Sequence, residues 1–113
     1  MAFNEIDRRR VEKRIVAFVE MRRPPVELRE QLDLGYRIDG QTVELFEARR
    51  SIRGHVDEMP VARLRYVKAR STWTLYWMSG DLKWHRYPPL AEAERLDELL
   101  EEIDEDPNAC FFG

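Results

Sequence analysis

All three tryptophans of this chain fall within twelve positions, in the strings Trp73-Thr74-Leu75-Tyr76-Trp77 and Lys83-Trp84-His85-Arg86-Tyr87. Cations are interleaved with the rings in the second string. Single-stranded nucleic-acid platforms use this combination: bases stack on rings exposed by a sheet while cations hold the phosphates. On that reading Lys68, Lys83, His85, Arg86 and Tyr87 are the candidate contacts, and the ligand is nucleic acid or an acidic protein partner. The same residues have a packing reading. If the first string is a strand, Trp73, Leu75 and Trp77 alternate to one side as core, and Tyr76 stands on the other.

A second chemistry would use carboxylates. A metal-dependent phosphodiesterase needs an acid followed downstream by an acid-x-lysine strand, to hold Mg²⁺ and polarise a phosphate. Asp33 with Glu47-Ala48-Arg49 approaches this pattern, with arginine in place of lysine. Such a site would draw together Asp33, Glu44, Glu47 and Asp81. Glu94, Glu98 and Glu101 share a helix face, but hard cations want oxygens converging from several elements. His55 and His85 are the only histidines, too few for a multi-histidine zinc site. Cys110 with His85 could form a nucleophile and base, although Cys110 lies between Ala109 and Phe111, a setting that suits a buried thiol. Glycine-rich phosphate loops, nucleophile elbows and CxxC pairs are absent. No cofactor or metal is implied, and the residues favour a non-catalytic binding module, with the phosphodiesterase as the alternative.

These side chains have to be positioned by local structure. Asn4 is a good N-cap for a helix over Asn4 to Met21, with Glu5 and Asp7 in its first turn. Val11, Ile15, Phe18 and Val19 form its apolar stripe, and Arg8, Arg9, Arg10, Lys13 and Arg14 make its other faces basic. Pro24-Pro25 ends it. One helical turn fits residues 26–32. From Leu34 the period changes to two, and Asp39-Gly40 predicts a type I′ hairpin pairing Tyr36 with Val43 and Leu34 with Leu45. Residues 49–60 read as a charged loop ending in Pro60. Strands follow over Val61 to Ala69, Trp73 to Met78 and Leu82 to Tyr87. Pro88-Pro89 stops the last of these, and a second helix is expected over Leu90 to Asp104, burying Leu90, Ala93, Leu96, Leu100 and Ile103. The sum is one α+β domain over residues 1–113: an N-terminal helix, an antiparallel β-meander of four to five strands, and a C-terminal helix, in two layers.

Composition bounds the class. The 113 residues suffice for one core without metals or disulfides, and charged residues reach 36%, well above the usual quarter or so. Residues 90–106 carry nine acids against one base, so the formal net charge of −3 conceals an acidic second helix and a mildly basic remainder. One cysteine fits a reducing compartment. The longest apolar run, Ile15 to Val19, is far too short for a leader or a membrane span. A cytoplasmic protein without membrane partners is expected, as monomer or homodimer. The apolar end Phe111-Phe112 either docks on its own core or crosses to a second copy.

Several strings are specific: Arg22-Arg23-Pro24-Pro25, Leu32-Asp33-Leu34-Gly35-Tyr36-Arg37-Ile38, Val43-Glu44-Leu45-Phe46-Glu47, Asp81-Leu82-Lys83-Trp84-His85-Arg86-Tyr87 and Cys110-Phe111-Phe112-Gly113. On them the chain resembles, essentially from end to end, the bacterial domain-of-unknown-function 3024 family. The resemblance implies a bacterial, free-standing, intracellular protein and carries over no activity and no site residues.

Overall fold

The computed structural model describes residues 3–113. Asn4 caps the first helix, α1 (Glu5–Arg22), by accepting the Asp7 amide at 2.8 Å, which answers one of the donors that a helix start leaves unpaired. Ile15, Phe18 and Val19 are its buried stripe. After the two prolines and a short 3-10 turn (Val26–Leu28), strands β1 (Leu32–Asp39) and β2 (Thr42–Arg50) form the expected hairpin.

The register of that hairpin differs from the expected one by two residues. Tyr36 opposes Leu45, Ile38 opposes Val43, and the turn residues are Gly40 and Gln41. Gly40 alone takes a positive φ, of 60°, so the turn has the φ signs of type II′, which asks for left-handed backbone only at its glycine. An Asp39-Gly40 turn of type I′ would have forced Asp39 there as well. Because the slip is even, every side chain keeps its face.

Strand β3 (Val56–Val67) starts well before the expected Val61, and residues 51–55 alone form the loop. Opposite β2 its register shifts between Leu45 and Phe46. The shift inserts Val61 as an extra residue, so consecutive Val61 and Ala62 are both buried. Pro60 precedes this bulge in the half of β3 that β4 (Thr72–Met78) does not reach, a position that spares the sheet a missing N–H.

The second helix is shorter than expected. Only β5 (Trp84–Arg86) and, after a 3-10 turn at Pro88–Leu90, the two-residue β6 (Glu92–Ala93) precede α2 (Leu96–Glu105). Both strands line the same edge of β4: Tyr76 opposes Arg86 and Trp73 opposes Ala93. The prolines lift the chain off the edge because they cannot donate to the ladder. It returns when Ala91 O accepts the Leu75 amide at 2.9 Å. Leu90 and Ala93 therefore reach the core from outside the helix, and Leu99 joins Leu96, Leu100 and Ile103 on its buried face.

The sheet order is β1-β2-β3-β4-β5, with β6 beside β4. Both helices pack on one face, where Leu34, Val43, Leu45, Leu64, Trp73 and Leu75 meet Ile15, Phe18, Leu99 and Ile103. Arg14 pairs with Asp97 and Arg22 with Asp104, each at 3.1 Å. Ascending order on both helices means that α1 and α2 run side by side in the same direction. The Tyr36 hydroxyl donates to Glu12 at 2.9 Å and fastens α1 to β1.

The C-terminal tail docks on its own core. α2 ends at Asp106, whose φ of 45° is left-handed. The Asp106 carboxylate then accepts four backbone amides: Cys110 at 2.8 Å and Phe111 at 3.1 Å on Oδ1, Phe112 at 2.8 Å and Gly113 at 3.3 Å on Oδ2. This wrap buries Phe111 against Tyr87, with ring centroids 5.0 Å apart, and sets Phe112 under the Arg22 guanidinium at 4.0 Å. No helix among the described residues is long and apolar enough to cross a membrane.

Candidate functional site

Two helices on one face leave the other face of the sheet uncovered, and the pairings decide what stands there. Arg37 opposes Glu44, Glu44 opposes Arg63, Arg63 opposes Tyr76, and Tyr76 opposes Arg86. Directly opposed residues share a face, so one row crosses all five strands. A parallel row carries Thr42, Arg65, Thr74 and Glu92. Trp84 stands at the end of the sheet opposite Met78. Asp39, Thr42, Arg63, Arg65, Tyr76 and Trp84 border a shallow groove of about 430 Å³.

The charges on this face are unevenly satisfied. Arg37 makes two bonds to Glu58, at 2.7 and 2.8 Å, and its guanidinium lies 4.5 Å from the Phe46 ring centroid. The Glu58 bond, then the Glu58 and Glu44 charges, hold Arg37 above the usual arginine range. Arg86 and Arg70 share Glu92, at 3.2 and 2.6 Å. Arg63 is more loosely held, 3.7 Å from Glu44, and lies 5.9 Å from the centroid of Trp84. Arg65 has no carboxylate within ion-pair distance among the described residues. The two arginines bordering the groove are thus the ones least committed to acids.

The sequence-derived contacts divide. Arg86 stands on the open face, in the row with Tyr76. Lys68 opens the 3-10 turn between β3 and β4, and Lys83 lies in the β4–β5 turn, both exposed at the ends of strands rather than at the groove. His85 opposes Trp77 and so belongs to the helix-side face. Its Nε2 is 2.8 Å from Asp81 Oδ2; that bond, then the Lys83 amide, hold the Asp81 carboxyl below the usual carboxylate range. Tyr87 is a correction. It is 1% exposed, its hydroxyl donates to Glu102 at 2.8 Å and accepts from Asn108 at 2.9 Å, and burial raises its pKa. It is a core residue.

The aromatic strings also divide, by strand parity. Trp73 and Leu75 are buried and Trp77 packs against the core, whereas Tyr76 and Trp84 face the groove. Sequence reasoning missed Arg37, Arg63 and Arg65, which lie outside the tryptophan-rich segment. Their signal was present in the polar half of the alternation, beside Ile38 and Leu64.

The four carboxylates of the phosphodiesterase alternative do not converge. Asp33 is clamped by Arg23, with Nε on Oδ1 at 2.9 Å and Nη2 on Oδ2 at 2.8 Å, and that bond is the main cause of its lowered pKa. Glu44 sits at mid-sheet between Arg37 and Arg63. Glu47 opposes Leu34 on the helix-side face, and Asp81 lies in the β4–β5 turn with His85. Among the described residues no group of three or more His, Cys, Asp or Glu side chains is placed to hold a metal ion.

The family model described as "Domain of unknown function (DUF3024)" matches residues 3–113. The chain belongs to that family. No curated protein and no solved structure matches it.

Proposed function

We propose that this member of the DUF3024 family is a non-catalytic binding module whose ligand lies across the open face of the sheet, and that the ligand is single-stranded nucleic acid. One observation carries the reading: Tyr76 and Trp84 border a groove together with Arg63 and Arg65, the two arginines of this face least occupied by carboxylates. Base stacking tolerates any sequence because every base has a π-face, and loosely held guanidiniums are free to take phosphates. The groove is open along the sheet, which suits an extended strand better than an enclosed metabolite. Arg37, Phe46 and Arg86 extend the contact surface in line with it. A bacterial cytoplasm is the proposed setting, supported by the family resemblance and by the single cysteine.

The test is anisotropy of a labelled single-stranded oligonucleotide at low salt, with tryptophan fluorescence read in parallel. Stacking contributes about 1–3 kcal/mol per base, so Trp84→Ala should weaken binding about 5- to 150-fold. Arg65→Gln should weaken it uniformly across sequences and flatten the salt dependence by about one phosphate contact. Binding by Trp84→Ala as tight as by the unaltered chain sinks the reading, as does silence toward oligonucleotides. If an acidic polypeptide binds this face and oligonucleotides do not, the partner is a protein.

A further inference from the structure

On the opposite side of the molecule, the outer surface of the helix layer carries two charge patterns that nothing in the chain answers. Arg10 and Lys13 on α1 have no carboxylate within ion-pair distance among the described residues, and Arg9 reaches only its neighbour Glu5. On the acidic side, Glu94, Glu98, Glu101 and Glu105 lack a cation in the same sense and are all exposed. The last three follow i, i+3, i+7 along α2, which places them on one stripe. Between the helices runs a groove of about 640 Å³, with Arg10, Lys13 and Arg14 at its rim and Val11, Ala17, Trp73 and Leu96 below. Ile6 and Met21 on α1 are 65% and 64% exposed.

We propose that this face is the contact surface of a homodimer, in which α1 of each copy lies over α2 of the other. The parallel course of the two helices makes the pairing self-complementary. A two-fold axis running along the helices exchanges α1 for α2 without reversing their direction, so one operation sets the basic end of α1 against the acidic start of α2 in both crossings. The level of the pairing follows from the Arg14–Asp97 contact. Arg10 and Lys13 then meet the level of Glu94 to Glu98 of the second copy, and Ala17 and Met21 meet that of Glu101 to Glu105. An acidic peptide could occupy the basic groove but would leave the glutamate stripe unanswered. A second copy answers Arg10 and Lys13 and, of the glutamates, Glu94 and Glu98, with Ala17 and Met21 lying opposite Glu101 and Glu105.

Size sets the strength. The 18-residue α1 is about 27 Å long and the 10-residue α2 about 15 Å, each about 10 Å wide. The face therefore offers roughly 400 Å² per copy, in the range of weak, transient contacts. With so many charges the dimer is weak and salt-sensitive.

Sedimentation equilibrium of the full chain tests this, from about 20 mM to about 500 mM salt. Dimers at low salt that dissociate at high salt are expected. Arg10→Glu with Lys13→Glu should weaken homodimerisation about tenfold or more, and so should Glu94→Lys with Glu98→Lys. An equimolar mixture of the two variants should dimerise again, because both crossings are complementary in the heterodimer. Restoration in the mixture separates an interface from damage to folding, and circular dichroism checks each variant. A monomer at every concentration and salt overturns the proposal, as does a dimer that ignores the reversals or reversed variants that fold but fail to pair when mixed. If either variant does not fold, the salt dependence of the unaltered chain decides.

Discussion

Replacing Asp106 with Asn tests whether one carboxylate holds the C-terminus on the core. Both oxygens are in use, each accepting two amides of the tail. Asparagine keeps one acceptor, so either orientation of its amide leaves two N–H groups unanswered and turns donors toward them. Asparagine also tolerates the left-handed backbone of this position, so strain does not confuse the result. Bonds to a charged acceptor are worth about 1.5–3 kcal/mol each, but the tail can undock instead of suffering the full loss. Undocking exposes Phe111, about 1.5–3 kcal/mol, and gives up the Arg22–Phe112 contact, about 0.5–1 kcal/mol, while regaining chain entropy. The cost of Asp106→Asn is therefore capped near the docking free energy, and about 2 kcal/mol is expected. For a domain of this size that lowers Tm by about 6–10 °C. Urea denaturation of four chains closes the cycle: the full chain and one ending at Asn108, each with and without the substitution. In the truncated pair the substitution should cost less than about 0.5 kcal/mol, within the range of ordinary surface changes. Equal costs in both backgrounds would refute the docking role of Asp106.

Three other contacts lend themselves to similar tests. A Cβ at Gly35 would stand 2.8 Å from the Phe46 ring, so Gly35→Ala should cost about 1–3 kcal/mol in urea denaturation; a neutral result means that the ring moves aside freely. The Arg23 fork depresses the Asp33 carboxyl below its ordinary value of 3.8. The stability it contributes is therefore fully present above that value and lost as pH falls through the folded one. The urea midpoint should drop more steeply below about pH 4 in the unaltered chain than in Arg23→Gln, and parallel acid limbs would contradict the assignment. Burial, then the Asp106 charge, raises the Cys110 thiol above its ordinary 9.0. At pH 8 it should react with a disulfide reagent more slowly than in the unfolded chain; equal rates would mean that the tail opens freely.

The elements governed by local chemistry were legible in the residues. Asn4, the Ile15-Phe18-Val19 stripe and Pro24-Pro25 define α1 nearly to the residue, and two-residue alternation gave the strands and their faces. What escaped depended on competition between neighbouring solutions. Gly40 serves equally well at either central position of a two-residue turn, and because the two registers differ by two residues the apolar alternation suits both. Leu90 and Ala93 continue the helical spacing of α2, yet the edge of β4 offered Ala91 and Glu92 backbone partners, and sheet pairing won over propensity. At the candidate site, parity alone separates Trp84 and Tyr76 from Trp73 and Trp77. Which arginines the carboxylates leave loose depends on cross-strand partners that only the register supplies.

Pro60 carries a consequence for association of a different kind. The stretch from Val56 to Pro60 pairs with β2 on one side and with nothing on the other among the described residues, and Val56 and Met59 are 55% and 47% exposed. Such a free edge is a template for strands from other molecules, and runs of this sort seed ordered aggregates. Asp57 and Glu58 charge the segment, and the proline withholds an N–H where an incoming strand would need one. Pro60→Val would join Met59 to Val61 in one apolar run and add an N–H to the segment. The proline is best understood as a guard that keeps this sheet from growing.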